Sequence, residues 1–158
     1  YGLRDTGKLL PYYEKAAGMG DEHAQATVAF WKYMGYYCQP DREEGKRIFA
    51  KLTTPEGLRW KKFYQACIEN YAGNEGQARQ LRQELLEVLS EKDRMRAHIY
   101  AVIGDELDND ETKTAEQAEY YKKALAIVPN FYVQKSLGTL YMRKPELGKK
   151  PEEAFKLW

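Results

Sequence analysis

Apolar side chains recur every three or four positions along most of this chain, which is the spacing that puts them on one face of an α-helix. Proline and glycine are sparse, so few positions interrupt these stretches. The pattern therefore predicts a chain made almost entirely of helices joined by short connections. The predicted helices lie at about 5–18, 21–36, 41–53, 56–72, 75–90, 92–107, 114–127, 130–143 and from 151 onward.

Residues that favour helix N-termini stand at several of these predicted starts. Asp21 precedes one helix, and Thr54 precedes another that opens on Pro55. Side-chain oxygens at such positions accept hydrogen bonds from unpaired N–H groups, and proline has no N–H to leave unpaired. Thr114 and Gln117 have the spacing of a capping box. Because the connections are short, we expect sequential helices to pack antiparallel.

Two distant parts of the chain resemble each other. Residues 27–49 align with 136–158 without a gap, and residues 12–17 align with 120–125. The two copies are offset by roughly three repeat units of the length usual for helix-pair repeats, so two weaker units are expected to fill the interval between them. A single helix pair cannot bury its own apolar face, so stacked repeats would form the core. The pattern predicts a helical repeat architecture.

Small residues and a few acidic, basic and aromatic ones recur in a defined order within these copies. The residues concerned are Asp5, Lys8, Ala16, Ala17, Gly20, Ala24, Gln25, Val28, Ala29, Gly35, Asp41, Gly45, Leu137, Gly138, Tyr141, Ala154, Leu157 and Trp158. They resemble the Sel-one-like repeat, a variant of the tetratricopeptide repeat, although Lys32 and Lys144 depart from its motif. The middle units are similar to plain tetratricopeptide repeats.

The resemblance implies an all-α fold: a right-handed α-solenoid of antiparallel helix pairs, with about nine helices. It also implies one repeat domain over residues 1–158, either whole or part of a longer array. Large side chains such as Phe49 and Tyr121 would fill the space between neighbouring pairs, while small ones such as Ala29 would let backbones approach closely.

Charge and composition exclude several classes of partner. Lys and Arg total 25 against 24 Asp and Glu, a net charge of +1, so neither nucleic acid nor an anionic membrane surface is expected. No apolar run is long enough to span a bilayer, so we expect no direct membrane insertion. Most of the 13 tyrosines are expected to pack between repeats. Cys38 and Cys67 are expected to be two thiols, although their spacing leaves a disulfide open.

Few residues suggest chemistry at a site. His23 and His98 have no second ligand at a spacing suited to a metal, and no nucleotide-binding or hydrolase motif occurs. Residues 108–119 imitate part of a calcium loop, but Lys113 stands where that loop needs glycine, so a solvated loop is the better interpretation. We therefore expect no enzyme activity, no cofactor and no metal.

In tetratricopeptide folds, the first helix of each pair lines the concave surface that binds partners. The resemblance carries this role over to ten positions here, which are His23, Phe30, Tyr33, Met34, Arg59, Lys62, Tyr132, Lys135, Thr139 and Met142. Several are aromatic, Met or basic residues, which protein interfaces favour. The expected function is a non-enzymatic scaffold or adaptor that binds another protein.

The resemblance leaves three alternatives open. Some bacterial members of the family are similar to immunity proteins, so the chain could inhibit a co-encoded secreted toxin. It could also be a structural segment of a larger envelope assembly, and a cell-wall enzyme is the least favoured alternative. The family favours a bacterial periplasmic or envelope location, with the cytoplasm still open.

Overall fold

The computed structural model of the chain describes residues 6–147, with side chains from residue 8 onward. These residues form helices and no strand, which confirms the predicted all-α class. The eight α-helices are α1 (Thr6–Gly18), α2 (Glu22–Met34), α3 (Arg42–Ala50), α4 (Pro55–Tyr71), α5 (Glu75–Val88), α6 (Arg94–Glu106), α7 (Thr114–Ile127) and α8 (Phe131–Arg143). Short 3₁₀ turns lie at Leu107–Asn109, Glu111–Lys113 and Pro145–Leu147.

Eight of the nine predicted helices are present, with ends that differ by a few residues. The ninth, from residue 151, lies outside the described residues, as do the motif residues Asp5, Ala154, Leu157 and Trp158. The right-handed solenoid and the single domain stay predictions.

Helix capping explains why two of these helices begin where the sequence predicts. The N–H of Ala24 donates to Asp21 Oδ1 at 3.0 Å, so Asp21 caps α2. The N–H of Gly57 donates to Thr54 Oγ1 at 3.0 Å, and Pro55 is the first residue of α4. Both predicted caps are confirmed.

The predicted capping box at the start of α7 is wrong. Thr114 is itself helical, with φ −59° and ψ −38°, because the chain enters α7 directly from the turn Glu111–Lys113. An N-cap residue needs extended backbone angles, so Thr114 cannot cap α7. Its hydroxyl donates instead to the carbonyl oxygen of Glu111 at 2.9 Å, and the Gln117 amide donates to Asp108 Oδ1 at 3.1 Å.

The chain divides into two compact units, Tyr1–Glu87 and Val88–Trp158. In the first unit, α2 packs against α1, α3 and α4. Its core includes the buried residues Ala26, Ala29, Phe49 and Leu52. Gly45 of α3 lies so close to α2 that a Cβ on it would stand 2.8 Å from the Ala29 carbonyl oxygen. The small residues on these two helices therefore permit the close packing that the repeat pattern predicts.

In the second unit, α7 packs against α6 and α8. Its core is formed by Ala118, Tyr121, Ala124, Val133, Leu137, Leu140 and Tyr141. Tyr121 fits against Gly104 of α6, where a Cβ would stand 2.6 Å from the tyrosine ring. Its hydroxyl donates to Asp105 Oδ1 at 2.7 Å, so the buried ring keeps its polar end hydrogen-bonded.

Candidate protein-binding surfaces

One side of α8 carries large side chains that are not buried. Tyr132 is 66% exposed and Met142 is 56% exposed, and Lys135 and Thr139 between them are exposed as well. These four are the sequence-predicted contact positions on this helix. At about 100° per residue they share one side of α8, while Val133, Leu137, Leu140 and Tyr141 on the other side enter the core.

The sequence analysis missed Phe131, which is 66% exposed and lies next to Tyr132 at the first turn. Asn130 caps this turn, since the N–H of Val133 donates to its Oδ1 at 3.2 Å. The repeat register assigns a contact role to Tyr132 but none to Phe131, so only the apolar character of Phe131 directly after a cap could have indicated it. We call Phe131, Tyr132, Lys135, Thr139 and Met142 the α8 stripe.

The charges of α8 are all positive, because the helix contains Lys135 and Arg143 and no carboxylate. Arg143 forms an ion pair with Asp108 at 3.3 Å, and the next residue, Lys144, donates to the Glu111 carbonyl oxygen at 3.2 Å. Among the described residues, Lys135 forms no ion pair. Its ammonium is therefore the charge on the stripe that a partner could meet.

The predicted contact residues of α2 mostly pack within the first unit. The His23 ring stacks on Trp60 of α4, with 3.9 Å between ring centroids and an interplanar angle of 21°. Phe30 stacks on Tyr64 with a centroid distance of 4.7 Å. The Tyr64 hydroxyl is hydrogen-bonded to Thr27 at 2.9 Å, which fixes the ring. One face of the His23 ring and one face of the Phe30 ring are thus covered by α4.

The other two α2 positions are half-buried near α3. Tyr33 lies beneath the Arg42 guanidinium, whose carbon is 5.5 Å from the ring centroid. Its Cβ is one of the atoms that Gly45 closely approaches. Met34 is half-buried at the last turn of α2. Both residues therefore expose only part of their side chains to solvent.

The predicted α4 residues, Arg59 and Lys62, are both half-buried. Lys62 forms an ion pair at 3.0 Å with Glu84 of α5, and this contact lowers the pKa of Glu84. Arg59 lines an open cleft of about 720 Å³ at the start of α2 and α4. At this cleft the Glu22 carboxylate accepts the N–H groups of Thr53 at 2.6 Å and Thr54 at 2.9 Å.

Burial beside Trp60 lowers the pKa of His23, and the carboxylates of Asp21 and Glu56 oppose this only in part. The folded state therefore disfavours protonated His23, whereas the unfolded chain takes up a proton near the ordinary pKa of about 6.5. We expect the free energy of unfolding to fall as the pH drops from about 7 to 5. Urea unfolding across this range should show the loss in wild type and in His98→Gln, but a smaller loss in His23→Gln. An equal loss in all three proteins would contradict the assignment.

A second exposed aromatic surface lies on α1 and the loop after α2. Tyr37 has φ 64°, a left-handed conformation that is costly for a bulky residue. In this conformation the Tyr37 ring packs edge-to-face with the Trp31 ring, with 4.8 Å between their centroids. Trp31 packs in the same way with Tyr13, at the same centroid distance. Tyr12 and Tyr36 nearby are exposed. The expectation that most tyrosines pack internally therefore does not describe this loop, where Tyr36 and Tyr37 directly follow Gly35 and are both exposed.

The acidic segment after α6 binds other parts of its own unit. Asp105 accepts the Tyr121 hydroxyl, and burial raises the pKa of Asp105. Asp108 accepts from Gln117 at 3.1 Å and pairs with Arg143. Asp110 accepts the N–H of Thr112 at 2.9 Å and so starts the turn before α7. These carboxylates hold the turns between α6 and α7 together.

Two other kinds of site are absent from the described part of the chain. Between residues 8 and 147, no group of three or more His, Cys, Asp or Glu side chains is arranged to hold a metal ion. No helix among the described residues is both long and apolar enough to cross a bilayer. Cys38 and Cys67 are both half-buried, and no disulfide joins them. Comparisons with protein-family models, with characterised proteins and with solved structures find no match to this chain.

Proposed function

We propose that this chain is a non-enzymatic scaffold that binds another protein, and that the α8 stripe is its binding surface. The observation that supports this most is the exposure of Phe131, Tyr132 and Met142 along a helix whose opposite side forms the core. Aromatic residues and Met are enriched at protein interfaces, and here three such side chains are exposed on one side of a single helix. The resemblance to Sel-one-like repeats favours the same role.

The α8 stripe is a better candidate than the predicted positions on α2 and α4. His23 and Phe30 stack on α4, and Lys62 pairs with α5, so a partner would have to displace existing contacts there. On α8 the apolar side chains stand free of such ring contacts among the described residues, and Lys135 is available for a polar contact. Binding there would remove apolar surface from water without breaking internal packing.

A photo-crosslinking experiment tests the proposal. A photoreactive p-benzoylphenylalanine is placed at Tyr132 and, as a matched control, at Tyr71, which is 77% exposed on α4. Purified chains are irradiated in lysate of the source organism, and adducts are identified by mass spectrometry. We expect a protein adduct from position 132 that is absent from position 71 and disappears when Met142→Glu is added. Identical adducts from both positions, or none from position 132, would contradict the proposal.

A further inference from the structure

We infer that the partner protein binds the α8 stripe through an acidic amphipathic α-helix, which lies on α8 as α4 lies on α2. This rests on the proposed function, because it names the kind of segment that binds at the same surface. The evidence is a comparison of α8 with α2, whose equivalent face is already covered by a helix.

α2 and α8 correspond residue by residue along their whole length. The helices Glu22–Met34 and Phe131–Arg143 both have 13 residues, and their first and last residues differ by the same 109 positions (131 − 22 and 143 − 34). Their caps, Asp21 and Asn130, have the same offset, and each accepts the N–H three positions further on. The two similar copies in the sequence share this offset too. Each residue of α8 therefore has a definite counterpart on α2.

The α2 face that corresponds to the α8 stripe is covered by α4 and α3. Near the start of α2, the His23 ring stacks on Trp60, and one turn further the Phe30 ring stacks on Tyr64. Ala26 between them is buried in the core of the first unit. A helix in the place of α4 thus removes most of this face from water. The counterparts of the stripe residues, in order along the chain, are Glu22, His23, Ala26, Phe30 and Tyr33.

Burial differs between the two helices only on this face. On the opposite side the counterparts agree, since Val28 and Leu137 are both buried. On the stripe they disagree, because Ala26 is buried whereas Lys135 is exposed. Within residues 8–147, the α8 stripe is therefore a face of the kind that α2 keeps covered, with no helix on it.

α8 keeps a hydroxyl at the position where α2 is hydrogen-bonded to α4. The Thr27 hydroxyl is hydrogen-bonded to the Tyr64 hydroxyl at 2.9 Å. The counterpart of Thr27 is Ser136, which is half-buried between Tyr132 and Thr139 on the helix surface. Among the described residues, its hydroxyl makes no hydrogen bond. It can therefore bond to a tyrosine on a covering helix as Thr27 does.

Two differences between the faces indicate the charge of the partner and the reversibility of its binding. Lys135 stands in place of Ala26, and Thr139 in place of Phe30. A face that is permanently buried in a stack of repeats would be more apolar, because burying an ammonium without a partner is costly. α8 has two cations and no carboxylate, and Lys135 forms no ion pair among the described residues. The helix that binds here therefore carries a carboxylate and belongs to a separate protein.

The contacts of α4 give the spacing of side chains expected on the partner helix. Trp60 and Tyr64 are four positions apart, which is the spacing at which a helix presents side chains to a groove. Since these rings stack on His23 and Phe30, position 61 lies at the level of the residue between them, Ala26. On α8 that level is occupied by an ammonium. We therefore expect two aromatic residues at i and i+4, with an acidic residue at i+1.

A peptide with the sequence of residues 54–72 provides the probe, because it contains α4 and its cap. The acidic probe has Lys61→Glu, and the matched control keeps Lys61. In both peptides a lactam bridge joins Lys62 to Ala66→Asp, on the side of the helix away from the two rings, since an isolated helix of this length is marginal in water.

Fluorescence anisotropy of the labelled peptides with the full chain tests the inference at low ionic strength, where charges are least screened. We expect the acidic peptide to bind about fivefold more tightly than the control peptide, because its carboxylate meets an ammonium instead of facing one with a like charge. Lys135→Glu in the chain should invert this preference. Lys92→Glu, at an exposed turn, should leave it unchanged. Circular dichroism should show equal helix content in all three chains.

A double-mutant cycle tests the position of the peptide on α8. Tyr64→Phe in the acidic peptide and Ser136→Ala in the chain should each weaken binding about threefold, because each removes one end of the same hydrogen bond. Combined, they should cost no more than either alone. Losses that multiply would overturn the arrangement in which the peptide lies as α4 does.

The remaining outcomes separate this inference from the proposed function. An acidic peptide that does not bind, or a preference that Lys135→Glu does not invert, would overturn the helix as the partner segment. Occupation of the stripe by residues 148–158 of the chain itself would give the first of these results. A protein adduct from position 132 without peptide binding keeps the proposed function alone, whereas no adduct from that position overturns the proposed function itself.

Discussion

Leu140→Ala should lower the free energy of unfolding by about 3 kcal/mol. Leu140 is 1% exposed in the core of the second unit, where α7 and α8 meet. Removing its isobutyl group loses the transfer free energy of the buried atoms. It also leaves a cavity between two packed helices that can close only in part. Urea unfolding followed by circular dichroism would measure the change.

Leu58→Ala is the matched control, since it makes the same chemical change at an exposed position of α4. We expect it to change the free energy of unfolding by less than about 1 kcal/mol, because the folded protein buries less of the Leu58 side chain than of the Leu140 side chain. Similar losses in the two variants would mean that Leu140 is not in a tightly packed core.

Gly45→Ala should destabilise the chain by about 2 kcal/mol, although alanine is the better helix former by up to about 1 kcal/mol. The added Cβ would stand 2.8 Å from the Ala29 carbonyl oxygen and 3.1 Å from the backbone nitrogen of Tyr33. These are backbone atoms of α2, which is held by α1, α3 and α4 and cannot easily move aside. The clash should therefore outweigh the gain in helix propensity.

Gly76→Ala provides the control for Gly45→Ala. Gly76 lies in α5, and a Cβ there would meet no heavy atom within 4 Å. Only helix propensity acts at this position, so the variant should be neutral or more stable by up to about 1 kcal/mol. Thermal unfolding of both variants would measure the contrast. If Gly45→Ala also raised stability, the close approach of α2 and α3 would not exist in solution.

Local signals account for most of what the sequence could predict about the fold. The apolar periodicity predicts eight helices that the structure contains, because a helix face repeats within a few residues and needs no knowledge of distant contacts. Asp21 and Thr54 mark helix starts for the same reason, since a cap bonds to N–H groups only two or three positions away. The capping box predicted at Thr114 was wrong because a 3₁₀ turn capped by Asp110 precedes it. The chain is therefore already helical when it reaches Thr114.

The candidate site depends on contacts between distant residues, and periodicity does not specify those. The repeat register places Phe30 and Met142 on equivalent helix faces, yet Phe30 stacks on Tyr64 while Met142 is exposed. Which neighbour covers a face depends on side chains more than thirty positions away, as with Tyr64, which stacks on Phe30 and is hydrogen-bonded to Thr27. The positive φ of Tyr37 is not marked in the sequence either, because Tyr is not a residue type that favours the left-handed region.

The carboxylate of Glu22 links the starts of two helices that are far apart in the chain. It accepts the N–H groups of Thr53 and Thr54. These two amides therefore have this acceptor within the protein only when α2 lies beside α4. The cap of α4 itself is local, since Thr54 Oγ1 accepts the N–H of Gly57, whereas the Thr53 and Thr54 amides precede the helix and reach their acceptor in the protein only through a long-range contact. Their exchange with solvent deuterium would consequently report the docking of α2 onto α4 rather than the formation of either helix. Two backbone positions thus offer a direct measure of when the first unit assembles.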